Sequence, residues 1–477
     1  VTFTEVVSPA LGPDGGPGQS AQGRAGQEGS ALNRYPLSSQ QELWCAGEQL
    51  GAFGPRFVVS TALRITGHVD AAALQGALDD VVARHELLRT IVVRNAKPPY
   101  QQVNPPTPAL LEVRDLSAAT GRSRDDIAEE LLTEAELGSV DVEELPLLRA
   151  VLARFDDRDS VLTLLTHHTA CDGWSLHLIE RDLAAFYAAR TGERPLTLPK
   201  PLQYHEYTEW QQANTVGPDA AANMAYWHRQ LDGVPVFTLP TDRPVATTHD
   251  TPYAMYDFVV DAAEVDEVGR LAKSARCSSL MVMLAAFNVL ANRISGSLDP
   301  VINTMIHGRG RPEFNDTVGP FLNFLALRTD LAGCDSFREL ITRTRNTCLA
   351  AYEHEVPIQH VEQAIPSLMA PLADPHNCDF IFGYFESPFK GAAGEGAREQ
   401  FRIAEDSRGV VKRERASEQI PGGAAWNMGV ASSGELIGGV HFNPEEFDER
   451  SVAEWVAEYC RILAAALADP DRDWKSL

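Results

Sequence analysis

From Val161 to Leu165 the chain is apolar at every position but Thr163. From Trp174 onward its apolar residues recur at helical spacing, through Leu176, Ile179, Leu183 and Phe186. The first run predicts a buried strand and the second an amphipathic helix. Between them lies a polar junction, His167 and His168 followed by Asp172 and Gly173. Strands are expected near 57–65 and 147–155, an acidic amphipathic helix over 124–135, and a polar, proline-rich loop over 97–108. Ala73, Leu74, Ala77, Leu78 and Val81 line one helix face. A proline-containing stretch from Thr191 to Pro201 predicts a lobe boundary. Beyond it the pattern repeats: helices over 264–273 and 278–293, a strand and long loop from Val301, a hairpin around Ser433 and Gly434, and a closing helix from Arg450 to Leu467. Residues 1–30 hold little to bury and read as a disordered tail. Residues 390–425 read as a long loop. The expected division is tail 1–30, N-terminal lobe 31–200 and C-terminal lobe 201–477, in the α/β (α+β) class.

Adjacent side chains on a strand point to opposite faces, so His167 and His168 cannot both reach one small ligand. That disfavours a two-histidine metal site, which prefers a spacing of four on a helix. One histidine is free to face a cavity as a general base while its neighbour packs. A helix opening at Gly173 presents unpaired amides and a positive dipole end to the same place, groups suited to a developing oxyanion.

Composition narrows the classes. With 477 residues and 44% hydrophobic content the chain can bury two cores of ordinary size. A net charge of −25 argues against a nucleic-acid partner. Seven scattered cysteines without ligand spacing read as reduced thiols, which fits a cytoplasmic protein. Cys171, inside the junction, reads as a small filler because no activating partner is evident. No signal peptide is expected, and no apolar run is long enough to span a bilayer, so no membrane partner is expected.

The junction spells HHxxxDG, and with its surroundings it resembles the acyl-transfer signature of nonribosomal peptide synthetase condensation domains, in the chloramphenicol acetyltransferase-like superfamily. Other phrases agree. Ser38, Gln41, Leu43 and Trp44 resemble the first family motif, and RHELLRT (Arg84 to Thr90) the second. YHEYTEW resembles the fourth, with Glu206 in place of aspartate. Val318, Gly319, Phe321, Asn323, Leu327 and Arg328 resemble the fifth, and Gly308 and Arg309 match the family's GR before it. EHEVP departs from the sixth motif after Pro357, and LADPHNCDFIF keeps the seventh poorly.

The resemblance implies two acetyltransferase-like lobes in a V with an active-site tunnel between them. It implies His168 as the catalytic residue, Gly173 as backbone beside the thioester, and His167 and Asp172 as structural. Asp172 is expected to pair with a buried arginine, Arg84 or Arg89. Trp174, Ser175, Asn323 and Arg309 are expected along the substrate channel. The implied partners are a peptidyl carrier protein, whose phosphopantetheine carries the acyl group, and a small-molecule alcohol or amine acceptor; no bound cofactor or metal is implied. The chain is expected to be a free-standing condensation enzyme, similar to discrete ones of enediyne antibiotic pathways. The alternatives are a non-catalytic docking module of the same fold and a coenzyme A-dependent acyltransferase.

Overall fold

The structure is a computed structural model, and it describes residues 33–49, 57–118, 121–245, 254–385, 406–409, 423–430 and 434–477. The apolar run before the junction is the middle strand of a five-stranded sheet. Asp159–His167 pairs antiparallel with Val58–Thr66 on one side and Leu148–Asp156 on the other. Leu110–Asp115 adds a parallel edge and Asp406–Gly409 an antiparallel one. A strand covered on both faces needs apolar residues at successive positions. Val161 packs with Ala62, Phe155 and helix Arg124–Glu136, whereas Leu162 and Leu164 pack against helices Ala71–Arg84 and Gly173–Arg190.

The second sheet has six strands, in the order Asn323–Arg328, Val301–Ile306, Phe380–Phe385, Ala424–Val430, Leu436–Phe442 and Ala254–Val260. Helix Ser279–Ser295 lies in its core, every residue from Met281 to Ala291 buried, with Phe287 stacked on Phe380 at 4.7 Å. Among the described residues no single helix is long and apolar enough to cross a membrane.

One expectation is corrected. The stretch read as a loop over 97–108 contains strand Tyr100–Val103, which joins Asn33–Pro36 and Thr90–Val93 in a three-stranded sheet. A glutamine at an inward-facing position hid it. Gln101 is buried, and its amide donates to the Pro36 carbonyl at 2.8 Å and the Thr208 hydroxyl at 3.1 Å. Ala424–Val430 and Leu436–Phe442 pair as a hairpin requires, and Ser433 in its turn lies outside the described residues. The 1–30 tail and most of 390–425 lie outside them too.

Two segments tie the halves together. Asp406–Gly409 follows the second-sheet strand Phe380–Phe385 in the chain yet pairs with Val58–Thr66 of the first sheet. The loop between Ile306 and Asn323 leaves the second sheet and sinks Phe314, Val318 and Phe321 into the first core, beside Tyr204 and Tyr207. Position 200 divides the sequence, but the first core draws on residues from both sides of it.

Candidate active site

His167 ends the central strand and is buried; its Nδ1 accepts the Thr169 amide at 3.2 Å and lies 2.9 Å from the Thr169 hydroxyl. His168 follows, its amide still donating to the Phe57 carbonyl at 2.8 Å. The His168 ring stacks on Phe57, with centroids 4.6 Å apart and planes 14° off parallel, and meets Trp44 edge-on at 4.9 Å. The residue is half-buried, and its Nδ1 is enclosed with no hydrogen-bond partner among the described residues. Burial lowers the imidazole pKa below its ordinary value, and the Asp172 charge and nearby carbonyls oppose this only in part. The ring is therefore neutral at neutral pH. No group of three histidine, cysteine or acidic side chains able to hold a metal occurs among the described residues.

Asp172 caps helix Gly173–Arg190, its Oδ1 accepting the Ser175 amide at 2.7 Å. Oδ1 also accepts from Arg309 Nη2 at 3.3 Å, and Oδ2 accepts the Phe321 amide at 3.0 Å. The partner of Asp172 is thus Arg309, and the expectation of Arg84 or Arg89 is corrected. Arg84 donates to Asp182 at 2.6 Å, and Arg89 reaches the Asn104 carbonyl and Glu86. Both terminal nitrogens of Arg309 are held by protein: Nη1 donates to the carbonyls of Phe314 and Thr317, each at 2.8 Å, and the guanidinium lies 3.8 Å from the Phe321 ring centre.

Ser175 is also corrected, from channel wall to interior clamp. It is fully buried, and its hydroxyl donates to the Gly319 carbonyl at 2.8 Å and accepts the Gly319 amide and Arg309 Nη2. Trp174 is half-buried, donating to the Asn315 carbonyl at 3.0 Å. Gly173 is exposed, and a Cβ built on it would meet nothing within 4 Å. The amides of Gly173 and Trp174 make no hydrogen bond among the described residues. Cys171 is buried, its thiol pKa pushed well up by burial. Asn323 donates to Glu355 at 3.1 Å and the Val356 carbonyl at 3.0 Å. With Arg309 it borders a cleft of about 730 Å³, whose lining includes Trp210 and Glu355 and does not include His168.

Two features at this site escaped sequence reasoning. The Phe57 face under His168 carries no motif of its own. The Asp172–Arg309 pair spans 137 positions, and only the resemblance at Gly308 and Arg309 hinted that this arginine mattered.

Two α/β lobes with an HHxxxDG junction at the end of the first sheet define the class of domain, and the comparisons give its family. The condensation domain family model matches residues 31–383, and the chain belongs to that family. It is 33% identical over 455 residues to the isonitrile lipopeptide synthase of Mycobacterium tuberculosis, covering 93% of this chain and 18% of that protein. It is 30% identical over 445 residues to chondramide synthase of Chondromyces crocatus, covering 91% of this chain and 11% of that protein. The chain thus spans a small share of the curated synthetases it matches. Among solved structures, the SgcC5 protein of Streptomyces globisporus superposes with a TM-score of 0.81 at 38% identity, over 92% of this chain and 100% of that one; it was crystallised with an aryl ethanediol and sucrose. The X-domain from teicoplanin biosynthesis shares the fold, at a TM-score of 0.73 and 24% identity over 97% of this chain and 99% of that one.

Proposed function

We propose that this chain transfers an acyl or aminoacyl group from the phosphopantetheine thioester of a peptidyl carrier protein to an alcohol or amine, forming an ester or amide. The observation that carries the reading is the neutral, half-buried His168 ring with one nitrogen enclosed, five residues from a helix start whose first amides are unpaired. With Nδ1 enclosed, Nε2 is the nitrogen left to meet a substrate. It accepts the proton of the acceptor's hydroxyl or amine as that oxygen or nitrogen attacks the thioester carbonyl. The new C–O or C–N bond leaves a tetrahedral oxyanion, to which the Gly173 and Trp174 amides are available to donate. Collapse breaks the C–S bond, and the proton passes from His168 to the departing thiolate. No protein atom is acylated, which agrees with the inert, buried Cys171. The aryl diol found with the SgcC5 protein favours an alcohol acceptor, and hence an ester, for this chain too.

The test offers the purified protein a carrier protein loaded with varied acyl groups, together with aryl diols and amines, and reads products by mass spectrometry. His168→Ala is expected to lower turnover by about 10²–10⁴-fold, the contribution of a positioned general base, while melting at the wild-type temperature. Wild-type turnover in that variant would overturn the mechanism.

A further inference from the structure

The crossing that carries Arg309 opens with a histidine that the mechanism above does not use. Strand Val301–Ile306 ends immediately before His307, and Gly308 and Arg309 follow. His307 is not among the residues through which this loop resembles the family. It is exposed, whereas Arg309 is buried. Its ring lies against Trp174, with centroids 5.3 Å apart and planes 39° off parallel. Trp174 is itself fixed to the crossing through the Asn315 carbonyl, and it supplies the second unpaired amide of the helix start.

Backbone sets the tautomer of the His307 ring. Its Nδ1 accepts the Arg309 amide at 3.0 Å. An amide can only donate, so Nδ1 carries no proton and the proton of the neutral ring is on Nε2. Partial desolvation of the ring, with the Arg309 charge beside it, lowers its pKa below the ordinary value, and the Asp172 charge opposes this in part. At neutral pH the ring is therefore an uncharged donor. Nε2 makes no hydrogen bond among the described residues. The arrangement complements His168, whose Nε2 is left to take a proton, and the charge of one carboxylate, Asp172, reaches both rings.

We propose that His307 is a substrate-binding residue, whose Nε2–H donates to an uncharged oxygen of one of the two substrates beside the helix start. An ammonium has no lone pair to offer this donor and would meet the Arg309 charge two residues away. A carboxylate or phosphate calls for a cation with free donors, and both terminal nitrogens of Arg309 are already engaged. A hydroxyl or carbonyl oxygen needs only the one N–H. Two sources share that chemistry: a second oxygen on the acceptor, and an amide carbonyl of the phosphopantetheine arm.

This inference rests on the acyl-transfer reading, and its test separates the two. A carrier protein bearing an acyl group is assayed with an aryl ethanediol, and KM is read for each substrate in wild type, His307→Phe and His307→Gln. Phenylalanine keeps the contact with Trp174 and removes the donor, whereas glutamine keeps a donor of similar reach. His307→Phe is expected to raise one KM by about 3–10-fold, the worth of one hydrogen bond between uncharged groups, and His307→Gln to bring it back toward wild type. A rise for the diol puts the oxygen on the acceptor; a rise for the loaded carrier puts it on the phosphopantetheine arm. Two unchanged KM values in His307→Phe overturn the assignment, whatever becomes of kcat. Calorimetric binding of the diol and of the loaded carrier to His168→Ala, with and without His307→Phe, reads the same contact without chemistry. That measurement survives a failure of acyl transfer, and equal affinities there, or none, overturn the assignment. If the phenylalanine variant folds poorly, nitrogen NMR of the wild-type histidine rings decides. A His307 ring protonated at Nε2, whose signal moves when either substrate is added, is expected; protonation at Nδ1, or a signal that does not move, overturns the proposal.

Discussion

Asp172 sits at the centre of the site's construction rather than its chemistry. Its two oxygens take the Ser175 amide, the Phe321 amide and the Arg309 guanidinium. Removing one partner from a buried pair leaves the other charge uncompensated, at a cost of about 3–5 kcal/mol. Arg309→Met is therefore expected to lower unfolding free energy by about that much in a denaturant titration; a loss within error would show that the pair holds nothing. His168 makes a different prediction. Its pKa lies below the ordinary 6.5, so kcat/KM should stay level from neutral pH down past that value and fall only below it. An acid limb centred above 6.5 would point to another base. The motif made His168 and Asp172 legible, because strand alternation and helix capping act over a few residues. The arginine was not legible, because a pair spanning 137 positions leaves no local spacing. Gly308 is what lets Arg309 arrive: its φ is +61°, and a Cβ there would stand 1.8 Å from the Phe321 carbonyl oxygen.

Helix Gly173–Arg190 does more than present its amide end. Further along it, Asp182 is fully buried and collects three cations or potential cations: Arg84 Nε at 2.6 Å, Arg181 Nε at 2.8 Å and His85 Nε2 at 2.9 Å. Arg181 extends the network to Asp316 at 2.5 Å, on the loop that also carries Arg309. The helix and that loop are thus tied at two levels, at Asp172 and again at Arg181. These partners hold the Asp182 carboxyl down at about 2, against 3.8 unfolded. A depressed folded pKa means that the unfolded chain binds more protons in this range. The stabilisation is fully present above about 3.8 and drains away as pH falls toward 2. Asp182→Asn should lower stability at neutral pH and flatten the acid limb of a stability–pH curve; an unchanged limb would assign acid unfolding elsewhere. RHELLRT was readable as a buried, charged turn, and Arg84 is indeed drawn inward. Its partner was misassigned because Asp182 lies in a helix whose apolar spacing made its polar positions look solvated.

At the scale of the molecule, the question is whether the first lobe exists without the second. The apolar periods foretold two α/β halves, and two sheets with their own helices are found. What the periods left unseen is the irregular crossing from Ile306 to Asn323, since a loop that buries single side chains has no period to detect. Phe314, Val318 and Phe321 from that crossing, with Tyr204 and Tyr207, complete the first core. Tyr204 donates to the Pro320 carbonyl at 2.7 Å and meets the Phe321 ring edge-on at 5.3 Å. Deleting one large buried aromatic costs about 3–5 kcal/mol, and whole domains are stable by only about 5–15. A fragment ending at residue 200 loses four such side chains and Val318, the Arg309 counter-charge of Asp172 and the edge strand Asp406–Gly409 at once. It is expected to show no cooperative thermal transition and no dispersed amide spectrum, whereas the intact chain should unfold in a single step. If the fragment melted cooperatively, the first lobe would be an independent unit, and the crossing loop a visitor to a finished core rather than part of it. The proposed acyl transfer at His168 would then have to tolerate two bodies moving separately, which the direct bonds from Asp172 and Ser175 to Phe321, Gly319 and Arg309 argue against.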